Sequence, residues 1–378
     1  MKLTNIAILM GLCCACVRSY AGEGLAVSPR PVVQQQTATQ ERHIYVDANK
    51  QSDEANATFC TVNEAFRYAE KINGQCSQWT NIHIAPGVYW IDNPDDPAIR
   101  KPSDTPSPQR GKEEIPFGMK LRFNKVRIIG MGESPEDVVL ACNRGQTQGA
   151  IGNFTMLHIT GDDIVAENLT FGNYCNVDLD YARDPKQSRK RRADAIVQAQ
   201  LVLCNGDRYE ARRCRFISRL NLCPFSGARS VLFENCYFEC TDDALCGTGT
   251  YRHCRFTFFS SKPFYSTSAK GALFEDCDIH SKVQGVQYLT KVSSPVTLRN
   301  CRWTSDDPNL TITWTKKPNP KDVCLMEGCT LNGRPLDVPP TPDVPMPVNT
   351  PLLPLQNQPD ILPGKWTLDA YKPADTAD

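Results

Sequence analysis

Short runs of alternating apolar and polar residues fill most of this chain, and from Arg208 onward they repeat. Six segments align on a cysteine: RYEARRCRF, SVLFENCYF, TGTYRHCRF, GALFEDCDI, PVTLRNCRW and VCLMEGCTL. The cysteines are Cys214, Cys236, Cys254, Cys277, Cys301 and Cys329, separated by 22, 18, 23, 24 and 28 residues. Two positions later come Phe216, Phe238, Phe256, Ile279, Trp303 and Leu331, and three positions earlier come Ala211, Phe233, Tyr251, Phe274, Leu298 and Met326. The residue before each cysteine is Arg213, Asn235, His253, Asp276, Asn300 or Gly328, types that suit a bend. An earlier segment, DIVAENLTF, fits the same frame with Asn168 at the bend and Leu169 in the cysteine column. Each unit therefore reads as strand, bend, strand, with alternate side chains inward. A period near 22 residues predicts an all-β parallel solenoid, because one coil cannot bury its own face and must stack on the next.

The ends of the repeat read differently. Thr61-Val62-Asn63-Glu64 has the spacing of a capping box, and Ala65, Phe66, Ala69 and Ile72 follow on one helical face before Gly74. That pattern predicts a helix capping the first coil. Lys2, the apolar run Ile6 to Val17 and Ser19-Tyr20-Ala21 read as a cleavable export signal over residues 1–21, followed by a linker over 22–42. The β-helix is expected over 43–334. Between Leu169 and Cys214 lie enough residues for one coil plus an insertion of about 20, which carries the run Arg189-Lys190-Arg191-Arg192. Residues 335–378 hold 11 of the 28 prolines and predict an extended tail docking on the body through Trp366 and Tyr371.

Composition narrows the functional classes. Forty-two basic and 42 acidic side chains cancel, which argues against a large nucleic-acid surface. After the signal no apolar run is long enough to span a membrane. Of 18 cysteines three fall in the signal, leaving 15, an odd number that cannot all pair. The cysteine column is expected to be a ladder of small buried hydrophobes. No CxxC pair stands with histidines at ligand spacing, so no metal site or cofactor is expected.

Stacked coils bring equivalent positions together, so chemistry is sought in columns. Asn221 lies seven residues after Cys214, Asp243 lies seven after Cys236, and Gln198 lies 23 before Asn221. Two amides and a carboxylate on successive coils point either to a nucleophile beside oxyanion donors or to a ladder that satisfies turn backbone.

The segments IYVDAN, TFCTVNEAFRYAEK, IHIAPGVYWI, VRIIGMG, LHITGDDIVAENLTF, QAQLVLCNGDRYEARRCRF and FENCYFECTDDALCG occur in the order and spacing seen in pectin methylesterases, which this chain resembles over roughly residues 43 to 305. The resemblance implies a right-handed parallel β-helix and hydrolysis of methyl esters in galacturonan. It places the family's aspartate nucleophile on Asp243, within DALCG, and its first anion-hole glutamine on Gln198. The family's glutamine-aspartate pair falls on Leu220-Asn221, so the usual acid/base carboxylate is an amide here. The family arginine falls on Lys291, within YLTKVS. The expectation is that Asp243 attacks, that Gln198 and Asn221 hold the oxyanion, and that Asp242 or Asp194 supplies protons. Arg189, Arg191 and Arg192 are expected to meet substrate carboxylates. Two other readings stay open: a pectin-binding protein whose catalysis has decayed, and a calcium-dependent pectate lyase. An exported or periplasmic pectin-acting protein, with no nucleic-acid partner, is the expectation.

Overall fold

The computed structural model describes residues 41–73, 78–95, 117–146, 148–150, 153–268, 271–319, 322 and 324–336. The expected signal, most of the linker and the tail beyond Leu336 lie outside the described residues. Every described residue belongs to one compact unit.

The repeat builds a parallel β-helix. Strand Tyr209–Arg212 pairs with Val231–Glu234, then Gly249–Arg252, Ala272–Glu275, Val296–Arg299 and Cys324–Glu327, every pair parallel. These strands belong to an 11-stranded first sheet. A 10-stranded second sheet takes the strands after each bend, including Arg215–Ile217, Tyr237–Cys240, Arg255–Phe258 and Asp278–Ser281. A third face carries Phe117–Arg122, Thr155–Thr160 and Gln200–Asn205, and further along Val286–Tyr288 beside Thr311–Thr313.

The corner between the first two sheets is one left-handed residue per coil. Asn168, Arg213, Asn235, His253, Asp276 and Asn300 have φ between 48° and 56°, and Gly328 has 65°. Asparagine, aspartate and glycine adopt that conformation at low cost, which is why they recur at the position before the cysteine.

Inside, the aligned columns stack. The rings of Phe171, Phe216, Phe238 and Phe256 lie face to face at successive centroid distances of 5.3, 5.1 and 4.9 Å. Those distances match the spacing of neighbouring strands, about 4.8 Å. The six column cysteines are buried free thiols, and each Sγ donates to a backbone carbonyl, as Cys277 does to Tyr251 O and Glu275 O at 3.3 Å. A strand-to-strand sulfur ladder is thus packing material here.

Helix α1 (Val62–Asn73) covers the first coil with Val62, Ala65, Phe66 and Ala69 buried. Its capping box is formed: the Glu64 amide donates to Thr61 Oγ1 (3.2 Å) and the Thr61 hydroxyl to Glu64 Oε2 (2.9 Å). Strand Ile164–Glu167 pairs directly with Tyr209–Arg212, so the intervening segment adds one coil and an insertion. The insertion lies on the outside of the second sheet, where Tyr174, Leu179 and Tyr181 pack with Val139, Ala141 and Ile217. At the other end Arg334–Pro335 turns back antiparallel onto Thr330–Leu331, and Leu336 is buried. The described residues end there, at Leu336.

The first sheet also carries a ladder of charge on its outer face. Glu167, Arg212, Glu234, Arg252, Glu275, Arg299 and Glu327 are in register on seven coils, alternating in charge at every step. Glu275, with a side chain only 10% exposed, lies 3.2 Å from Arg252 and 3.5 Å from Arg299. Opposite charges on neighbouring strands favour this pairing register over any slipped one.

Candidate active site

The third face loses its regular strands between Gln200–Asn205 and Val286–Tyr288. In that stretch the backbone turns left-handed at Asn221 (φ 53°), Cys223 (52°), Phe225 (51°) and Asp243 (55°). Such residues cost about 1–3 kcal/mol each where the side chain is bulky, and they collect where a site needs an unusual side-chain direction. Gly247, at the end of DALCG, lets the next coil approach: a Cβ there would meet Ser266 O at 2.6 Å.

Backbone hydrogen bonds fix the register. The Ala199 amide donates to Leu220 O (3.3 Å) and the Cys223 amide to Ala244 O (2.9 Å). In a parallel ladder those bonds set Ala199 beside Asn221 and Asn221 beside Asp243. Gln198 thus stands one residue before the column counted from the repeat. Its carbonyl accepts from the Gln146 amide at 2.9 Å, which anchors the backbone, while its side-chain Oε1 is buried without a hydrogen-bond partner.

Asp242, Asp243 and Lys291 meet. Lys291 Nζ lies 3.0 Å from Asp242 Oδ2 and 3.1 Å from Asp243 Oδ2. The lysine is held there by its own coil, whose amide donates to Phe264 O at 3.0 Å. Its ammonium is stabilised above the usual lysine range, first by the bond to Asp242 and then by the bond to Asp243. Asp242 also accepts from Ser260 Oγ at 3.3 Å. The second oxygen of Asp243, Oδ1, is buried with no hydrogen-bond partner. Two residues outside the sequence expectation belong to this group: Ser260, one coil beyond Asp242, and the exposed Tyr265, whose ring centre lies 6.0 Å from Lys291 Nζ. A carboxylate beside a fixed ammonium can attack an electrophilic carbon, and the ammonium can follow the charge that develops.

The basic run is ordered by its neighbours. Leu179 and Arg189 exchange backbone hydrogen bonds at 2.9 Å, and the Arg189 guanidinium donates to Lys186 O and Ser188 O. Lys190 pairs with Asp178 (2.7 Å), the Arg191 amide donates to Asp178 Oδ1 (3.0 Å), and Arg192 pairs with Asp95 (2.9 Å). The side chains of Arg189 and Arg191 remain at the surface. Asp194 is exposed at a turn in which its carbonyl accepts from the Val197 amide (3.1 Å), and it is not part of the Lys291 cluster.

No protein-family model matches the chain, and no curated protein does. Solved structures do match. A pectin methylesterase with an aspartate-to-alanine substitution, solved with a hexasaccharide, aligns at TM-score 0.53 and 15% identity over 87% of this chain and 98% of its own. The chain has the fold of the pectin methylesterases. The pectin methylesterase of Aspergillus niger agrees, at TM-score 0.53 and 12% identity, over 89% of this chain and 99% of its own. That fold accounts for the expected parallel β-helix across nearly the whole length of both neighbours. Among the described residues no helix is long and apolar enough to cross a membrane.

Proposed function

We propose that this protein is an exported carbohydrate esterase that hydrolyses methyl esters of galacturonate chains through Asp243. The observation that carries this reading is the contact of Lys291 with Asp243 and Asp242 on the irregular third face, within a fold shared with pectin methylesterases. Asp243 Oδ2 attacks the ester carbonyl, and the side-chain amides of Gln198 and Asn221 steady the oxyanion. Asn221 cannot shuttle a proton. The Lys291–Asp242 pair takes that part: it protonates departing methanol, leaving an acyl-enzyme, and then accepts a proton from the water that attacks the acyl carbon. Carboxylate product and free Asp243 result, so the sum is ester plus water to acid plus methanol.

Arg189 and Arg191 supply surface cations for substrate carboxylates, with Arg192 held back by Asp95. Removing both exposed guanidinium groups is expected to weaken pectate binding at low salt and to change little at high salt. Equal binding by wild type and double variant at low salt would contradict that role.

The reading is tested by following methylated pectin with the purified protein. Methanol and new carboxylates are expected in equal amounts, with no unsaturated, ultraviolet-absorbing product. Unsaturated ends would establish a lyase instead. Binding without any product would favour a non-catalytic pectin-binding protein, the reading that Leu220 and Asn221 support.

A further inference from the structure

The second sheet carries a groove of about 350 Å³ on its outer face, away from the Lys291 cluster. That volume lies within the range of small-molecule sites. Two outward columns build it. Tyr237, Arg255, Asp278 and Arg302 are in register on four successive coils, and Thr257, His280 and Thr304 form the second column. The short threonines beside the long arginines leave a depression between the columns. Its polar groups are already oriented: Tyr237 OH lies 3.1 Å from Thr257 Oγ1, and His280 Nδ1 lies 3.0 Å from Thr304 Oγ1. Asp306 holds the other side of the imidazole, 3.3 Å from Nε2. Charge around the groove is paired at all points but one. Arg302 bonds Asp278 at 2.6 Å, Lys282 bonds Asp306 at 3.0 Å, Arg215 lies 3.3 Å from Glu136 and Arg219 lies 3.4 Å from Glu239. These four cations and four carboxylates cancel. Arg255 is left over: it is exposed, and among the described residues it makes no ion pair, although Asp278 is its neighbour in register. Its guanidinium carbon sits 5.8 Å from the centre of the Tyr237 ring, which Arg215 also approaches at 5.7 Å. Stacking on the ring orients the planar group and leaves its N–H edge for a ligand.

We propose that this groove binds one uronate unit of a galacturonan chain, through its free carboxylate and adjoining hydroxyls, as a second site distinct from that at Asp243. The choice of polymer rests on the galacturonan reading of the Asp243 site; the acidic sugar is dictated by the groove itself. A carboxylate supplies the negative charge that Arg255 lacks and can accept from two of its N–H groups at once. Sugar hydroxyls donate and accept, which suits Thr257, Thr304 and the imidazole of His280. The groove is also placed to serve the reaction. Thr257 stands three residues before Ser260, which bonds Asp242, and Tyr237 stands five before Asp242 itself. At about 3.3 Å per residue these separations are at most ~10 and ~17 Å along the chain. The same coils thus carry the groove on the second sheet and the reacting groups on the third face. A polymer held in the groove raises the effective concentration of its other units at Asp243.

Hydrogen exchange of the full chain, titrated at low salt with a fully de-esterified galacturonate oligomer, tests the site. Slower exchange is expected in segments 255–258 and 278–281. Arg255→Gln is expected to need about 10-fold more oligomer, or beyond, for the same protection, with an unchanged Tm as the check on folding. Thr304→Val should need a smaller excess. Protection confined to the segments around Asp243 and Lys291, an equal response in Arg255→Gln, or no protection at all would overturn the proposal. With pectin as substrate, Arg255→Gln is expected to raise KM for methanol release and to leave kcat unchanged. The exchange readout needs no turnover, so the groove can fail while the esterase reading stands, and the esterase reading can fail while the groove still binds.

Discussion

Lys291 touches two carboxylates, and the contacts divide its roles between charge and proton transfer. Lys291→Met leaves Asp242 and Asp243 facing each other without a cation, so esterase turnover is expected to fall about 100- to 1,000-fold. Asp242→Asn keeps the geometry and removes the proton acceptor, with an expected loss of about 100- to 10,000-fold. Measuring kcat and KM separately distinguishes the account from a packing effect, because both losses are expected in kcat with little change in KM. An unchanged kcat in Asp242→Asn would remove Asp242 from the proton path and leave Lys291 alone to carry the proton. The register at Gln198 belongs to this scale too. Counting from the cysteines holds for Asn221 and Asp243, which stand side by side, whereas the step back to Gln198 counts as 23 residues and the backbone hydrogen bond of Ala199 to Leu220 makes it 22.

Among the elements, the charge ladder of the first sheet makes a stability prediction. Glu275 sits between Arg252 and Arg299 and is nearly buried, so Glu275→Gln is expected to cost about 1–3 kcal/mol, read by denaturant unfolding. Glu275→Arg should cost more, since three guanidinium groups would then stack. The ladder stands in the aligned segments two residues before each cysteine, where its alternation of sign is hidden among the apolar columns. The pH dependence of folding comes from the adjoining column. Glu210 has its pKa raised from 4.5 to about 7 by burial. The native state then holds a proton that the unfolded chain has already released, and its contribution to stability is complete below pH 4.5 and lost as pH rises through 7. Wild type should therefore lose stability relative to Glu210→Gln across that window. A constant difference between the two from pH 4.5 to 7 would contradict it.

For the molecule as a whole, the parts legible in the residues are those where stacking repeats a side chain at each coil. The bends at Asn235 and Asn300, the cysteine column, the phenylalanine stack and the capping box around Thr61 all follow from local chemistry that recurs or has a fixed spacing. The third face was less legible because it abandons regular pairing where Asn221 and Asp243 stand, so neither period nor propensity marks it. Lys291 is marked in the sequence only by the family resemblance, and Ser260 and Tyr265 carry no mark, since each occurs once and joins the group through the coil geometry. The central claim is that this pectin methylesterase fold carries an Asp243-dependent esterase. Its most direct test is methanol release from highly methylated pectin by wild type and by Asp243→Asn, a near-isosteric change beside Lys291. The account predicts release by the wild type and none above background in the variant. Equal release by both would show that the chemistry lies elsewhere on the molecule.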